Sequence, residues 1–133
     1  MLLTRECDYG LRIIRALASG EKTTAEEICN AENIPGQFAY KILKKLERAG
    51  YVISRLGREG GYLLTKPLAE ITIYDIVSSI DDNLFVNECM RGDRPCTRNL
   101  DGNPCTVHLE LMRIQRVLMK EMRENTIDQI VSA

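Results

Sequence analysis

The chain has 133 residues, 44% of them hydrophobic, with 18 basic and 19 acidic residues and a net charge of −1. That length suits one compact domain with room for an arm, and that hydrophobic content excludes a chain too polar to fold. No apolar run approaches the roughly 20 residues of a membrane span, and the opening "MLLTRECDYGLR" lacks the apolar stretch of a secretory leader, so a cytoplasmic protein is expected.

The charge is unevenly placed. Residues 1–36 carry a net −2 and residues 67–133 a net −4, whereas 37–66 hold seven basic and two acidic residues. A basic middle third in an acidic protein points to a local anion-binding face, such as a DNA footprint.

The first predicted helix spans about residues 5–18, with Cys7, Leu11, Ile14 and Ala18 as its stripe and Gly20 at its exit. In "TTAEEICNA", Thr24 and Glu27 form a capping box for a short helix burying Ile28 and Cys29. After "ENIPG" a further helix runs to Ala49 and stops at Gly50. Its buried stripe is Ala39, Ile42, Leu43 and Leu46. The opposite face carries Gln37, Lys41, Lys44 and Arg48, flanked by Tyr40 and Lys45, with Glu47 as its only acid.

Past Gly50 the period changes. "YVISR" and "YLLT" are short β-prone runs separated by "LGREGG", whose glycines fit a hairpin tip carrying Arg55 and Arg58. Thr72 and Asp75 cap a short helix with Ile73, Ile76, Val77 and Ile80 apolar. Periodicity then lapses from Asp81 to Pro104, a long loop that is expected to be functional. From Thr106 a long helix runs to about Asn125, apolar at Val107, Leu111, Ile114 and Leu118 and again at Leu109, Met112, Met119 and Met122. That is wider than one core-facing stripe requires, and a homodimer partner is the simplest cover for the excess. Thr126 and Gln129 suggest a capped final turn.

Helix, turn, basic helix and glycine-tipped hairpin, in that order, describe a winged helix-turn-helix. Gln37, Phe38 and Tyr40 are candidates for base contact in the major groove of double-stranded DNA. Lys41, Lys44, Lys45 and Arg48 are candidates for phosphate contact, and Arg55 and Arg58 for an adjacent backbone or minor groove.

The cysteines add a second chemistry. Cys89, Cys96 and Cys105 fall in the loop beside the only histidine, spaced Cys89-x6-Cys96-x8-Cys105-x2-His108. Thiolates and imidazole are ligands for zinc or iron–sulfur clusters, and only one short knuckle is present. The long, irregular gaps favour an iron–sulfur cluster over zinc, with free thiols as the third reading. Cys7 and Cys29 lie on apolar helix faces and are read as small core residues.

Over essentially its whole length the chain resembles the Rrf-type winged-helix transcription regulators, which include IscR-, NsrR-, RirA- and CymR-like proteins. "LTRECDYGLR" is similar to their first helix, "IPGQFAYKILKKLERAGYV" to their recognition helix, and "GREGGYLLTKPLAEITIYDIV" to their wing and following helix. The resemblance implies a homodimer on a roughly palindromic operator, with Cys89, Cys96 and Cys105 as cluster ligands. In IscR-like members a histidine follows the last cysteine as in "CTVH", which makes His108 the fourth ligand and favours a 2Fe-2S cluster. In NsrR-like members an aspartate of the partner subunit's first helix completes a 4Fe-4S site, and Asp8 occupies that position here. The wing departs from the family at Leu56 and Glu59, and Tyr40 replaces an acidic residue that IscR-like proteins use to discriminate sites.

The expected fold is therefore mainly α with a small β-hairpin wing. Residues 1–80 form the winged helix-turn-helix domain, 81–105 the cluster-binding loop, and 106–133 the dimerisation helix and final turn. The expected function is a non-enzymatic transcription regulator, a redox-, nitric-oxide- or iron-sensing repressor or activator. The alternatives are a zinc-stabilised or metal-free thiol-based regulator and, from another class, an iron–sulfur redox protein. No nucleotide-binding glycine motif and no catalytic group beside the cysteines supports the last.

Overall fold

The computed structural model of the chain describes residues 3–93, 96–99 and 102–133; the parts of the expected 1–80 domain and 81–105 loop at 1–2, 94–95 and 100–101 lie outside them. Helix α1 (Arg5–Ala16) starts where the Thr4 hydroxyl accepts from the Cys7 amide, and it ends two residues earlier than its apolar stripe suggests. Helix α2 (Ala25–Glu32) begins at the expected Thr24–Glu27 capping box and stops where Asn33 takes a left-handed conformation (φ 53°). Helix α3 (Gly36–Arg48) follows Pro35, and Gly50 (φ 85°) turns the chain out of it. Helix α4 (Ile73–Ile80) has the capping box predicted from Thr72 and Asp75.

These four helices enclose one core. Ala39, Ile42, Leu43 and Leu46 of α3 are fully buried, alongside Ile13, Ile14, Ile28, Ile76 and Val77. Burying each large aliphatic side chain is worth about 1.5–3 kcal/mol, so the three of α3 together match the net stability of a small domain. The inner face therefore fixes how α3 is turned, and its outer face is left free for function. Gly10 permits the close approach of α1 to α4: a Cβ there would sit 2.0 Å from Ile80 Cδ1.

Strands β1 (Val52–Arg55) and β2 (Gly61–Leu64) pair antiparallel, with Val52 opposite Leu64 and Arg55 opposite Gly61. The sequence reading did not include the anchors of this hairpin. Thr23, between α1 and α2, exchanges two backbone hydrogen bonds with Tyr62 (3.1 and 2.8 Å) as a one-residue third strand. The Glu47 carboxylate accepts from the Ser54 amide (2.9 Å) and hydroxyl (2.7 Å), tying β1 to the last turn of α3. Gly61 is required at the first anchor, because it adopts φ 150° and a Cβ would lie 2.9 Å from the Thr23 carbonyl oxygen.

Helix α5 (Thr106–Glu124) is present at the predicted length, but its faces are grouped differently. Leu111, Gln115, Leu118, Met119 and Met122 turn inward, whereas Val107, Leu109, Met112, Ile114 and Val117 are exposed. The reason is a polar residue inside the inward stripe. Gln115 donates to the Leu84 carbonyl (2.7 Å) and accepts from the Val86 amide (2.7 Å), clamping the start of the loop onto α5. A hydropathy pattern does not count that residue. Helix α6 (Ile127–Val131) follows at once, its first residue buried and bonded to the Ile71 carbonyl (2.7 Å). Among the described residues no helix is long and apolar enough to cross a membrane.

Two outcomes test the wing anchors. Gly61→Ala is expected to destabilise by about 1–3 kcal/mol, measured as a lowered denaturant midpoint, because neither backbone can give way. Hydrogen bonds from the Ser54 hydroxyl and amide hold the Glu47 carboxyl below its usual range. Its contribution is thus present above the ordinary carboxylate pKa of about 4.3 and is lost as pH falls through the lower folded value. Glu47→Gln should make the acid-side fall of the melting temperature shallower, while a curve identical to the wild type would remove this anchor.

Candidate functional site

The outer face of α3 emerges as predicted, with Gln37, Tyr40, Lys41, Lys44 and Arg48 exposed and Lys45 half-buried. Tyr40 is 61% exposed at the front of this face. Phe38 is different: it is half-buried, its ring 5.7 Å from that of Tyr9 and tilted 56°, so much of it serves packing rather than the open face. Arg55 and Arg58 are exposed on the wing, and Leu56 between them is 98% exposed.

The electrostatics of the face differ from the sequence reading in one respect. Glu47 is engaged by Ser54, and the acid that meets the lysines comes from α1. Glu6 pairs with Lys41 (2.5 Å) and with Lys45 (2.9 Å), and Lys45 also donates to the Ile80 carbonyl (3.0 Å). The hydrogen bond from Lys41, then that from Lys45, holds the Glu6 carboxyl below its usual range, so it is ionised at neutral pH. Thirty-five residues separate Glu6 from Lys41 in the chain, and no local pattern reveals the pairing. Among the described residues, Lys44, Arg48, Arg55 and Arg58 have no acidic side chain within ion-pair distance. Together these basic groups form a positively charged surface running from α3 to the wing.

The cysteine loop leaves α4 after Ile80, and its described residues include a short 3-10 helix, Glu88–Met90, where the sequence predicts none. Cys89, Cys96, Cys105 and His108 are all half-buried, accessible enough to react and sheltered enough to hold a ligand. The fold brings Cys89 Sγ to 3.5 Å from His108 Nδ1, across 19 residues of sequence. The other two are linked through Asn99, whose amide donates to the Cys96 carbonyl (3.0 Å) and whose side chain accepts from the Cys105 amide (3.2 Å). Cys105 stands at the N-cap position of α5, with no capping hydrogen bond from its side chain.

In chemistry this donor set suits a zinc ion or an iron–sulfur cluster. In geometry only the pair Cys89 and His108 is assembled. No group of three histidine, cysteine or acidic side chains is gathered to hold a metal ion among the described residues. Asp8 lies elsewhere, exposed on α1 and paired with Arg12 (3.0 Å). It lines a cavity of about 360 Å³ with Leu11, Ile73, Ile127 and Ile130, and none of the cysteines is among the residues lining it. Cys7 is fully buried with the Thr4 hydroxyl donating to its sulfur (3.3 Å), and Cys29 packs half-buried against the core.

With this geometry in view, residues 3–133 match the family described as "Rrf2: Iron-dependent Transcriptional regulator". The chain is 32% identical to the protein aau3 of Rhizobium meliloti over its whole length and 86% of that relative. It is 33% identical to a candidate HTH-type transcriptional regulator of Mycobacterium tuberculosis, over 95% of this chain and 78% of the relative. Among solved structures it resembles CymR, the global cysteine regulator of B. subtilis, with a TM-score of 0.75 and 23% identity, covering 98% of this chain and 95% of the other. It resembles IscR of T. potens with a TM-score of 0.78 and 15% identity, covering 98% and 85%. At those identities the structural likeness speaks for the fold, and the fold is the winged helix of these regulators.

Proposed function

The chain belongs to the Rrf2 family of transcriptional regulators, and from that premise we propose a homodimer whose grip on a roughly palindromic operator responds to an iron–sulfur cluster. The observation that carries the cluster half is the approach of Cys89 to His108. A thiol from the turn Glu88–Met90 and an imidazole from the first turn of α5 meet where Glu88–Met90 packs against the helix. Cys96 and Cys105 would supply the remaining donors from the same loop. A histidine ligand suits a 2Fe-2S cluster; Asp8 of a partner subunit is the alternative fourth ligand and goes with 4Fe-4S.

The protein's own residues connect that loop to DNA. Lys45 of α3 holds the carbonyl of Ile80, the last residue of α4, just before the loop begins, and Gln115 of α5 bonds to Leu84 and Val86. When bound, the cluster supplies a redox-sensitive cross-link between loop and α5. The exposed Val107, Ile114 and Val117 share one flank of α5, and a second copy packed there would set the two reading heads about one DNA turn apart. Gln37 and Tyr40 then face base edges, Lys44 and Arg48 face phosphates, and Arg55 and Arg58 reach the neighbouring backbone or minor groove.

A second reading, a metal-free thiol regulator, draws support from the separation of Cys96 and Cys105 from the assembled pair. A third, with zinc as a structural ion, uses the same donors.

The test begins with protein purified without oxygen. The expected result is broad visible absorption with matching iron and sulfide, and operator binding that changes when the cluster is removed. Cys96→Ala should abolish that change. A colourless protein with stoichiometric zinc would make the metal structural, and a colourless, metal-free one whose DNA binding follows thiol oxidation would establish the second reading. Lys44→Ala should weaken binding to every sequence and reduce the salt slope by about one, an outcome independent of the metal.

A further inference from the structure

Glu6 stands where a DNA phosphate would otherwise be needed. It lies on α1, outside the reading helix, yet its two carboxylate oxygens each accept from a different lysine of α3, Oε1 from Lys41 and Oε2 from Lys45. Two cations spaced one turn apart on a helix, bridged by one anion, reproduce the geometry with which such a face grips a phosphate oxygen pair. The two lysines are not held alike. Lys45 has a second acceptor in the Ile80 carbonyl and a side chain 31% exposed, so it is fixed in the fold. Lys41 has Glu6 as its acceptor and is 56% exposed, at the edge of the open face.

We propose that Glu6 is an internal phosphate mimic that withholds Lys41 from DNA and so lowers the affinity for DNA of any sequence. The inference rests on the DNA-binding reading above and adds a residue that sets DNA affinity without touching DNA. To contact DNA, Lys41 must leave Glu6, or stay and contribute nothing. Either way the phosphate-driven, sequence-independent part of binding is reduced. Base contacts by Gln37 and Tyr40 are untouched by that exchange. The reduction is therefore common to a specific site and to random DNA, and Glu6 lowers both affinities by a similar factor. Lys45 remains on the Ile80 carbonyl throughout, so the exchange leaves the loop's attachment intact.

The experiment measures binding of Glu6→Gln to a fluorescent operator duplex, selected from random sequence with the unmodified protein, and to an unrelated duplex across a salt series. Glutamine keeps the shape and removes the charge. Binding to both duplexes should tighten by roughly threefold at low salt, the scale of a mostly exposed ion pair. The salt slope should steepen by up to about one. In a Lys41→Gln background the same substitution should change affinity little, because the lysine being withheld is gone. Glu6→Asp, which keeps the charge, should restore wild-type affinity and slope. Unchanged or weaker binding of Glu6→Gln with an unaltered melting temperature would overturn the inference alone, as would an equal gain in the Lys41→Gln background. Failure of the unmodified protein to bind any duplex would overturn the DNA-binding reading as well.

Discussion

Everything on the outer face of α3 depends on the burial of one helical stripe. Ala39, Ile42, Leu43 and Leu46 have no exposed surface, and they hold α3 against α1 and α4 in one rotational setting. With 3.6 residues per turn, each residue steps 100° around the axis, so that setting decides the direction of Gln37, Tyr40, Lys44 and Arg48 as well. A helix held by loose or polar contacts would present a blurred face. This one presents a fixed pattern, and the sequence on the outer side can change without touching the core.

The wing is positioned by a different kind of force. Four paired residues in a two-stranded hairpin do not make a stable unit in water. The hairpin is held because Thr23 pairs with Tyr62 on one side and Glu47 takes the Ser54 hydroxyl and amide on the other. Both anchors begin in the helix-turn-helix itself, the first just before α2 and the second in the last turn of α3. Reading helix and wing are therefore one rigid surface, and Arg55 and Arg58 keep a set distance from Arg48. Glu47, an acid on a basic face, would repel phosphate if it were free; spent on Ser54, it orients the wing.

Much of this was legible because it is local. Capping boxes at Thr24–Glu27 and Thr72–Asp75, the stop at Gly50 and the stripe of α3 each lie within a few residues, where one period or one hydrogen bond decides the outcome. What escaped is non-local or polar. Glu6 meets Lys41 only after α1 and α3 have packed, and Thr23 becomes a strand only because Tyr62 arrives beside it. Gln115 was invisible to a hydropathy pattern for the opposite reason, being a polar residue in an inward stripe. The cysteine site was legible as a donor set through composition and spacing. Its assembly was not, because a loop without periodicity carries no signal for which donors meet.

In the proposed dimer, the cysteine loop and the subunit contact would share α5. Cys105 stands at the N-cap position of this helix and His108 lies in its first turn, while the exposed apolar residues begin at Val107 in that same turn. In a homodimer joined through that face, the loop and the subunit contact act on one rigid rod. Its 19 residues span roughly 28 Å, so a tilt of about 5° imposed at the cysteine end displaces the far end by roughly 2–3 Å. That is close to one base-pair rise, about 3.4 Å. Two reading heads displaced by such a distance no longer fit the same half-site spacing, even though no residue of α3 has moved within its own core. A core that makes each head rigid would thus let a small change in the loop alter the fit of such a dimer to DNA.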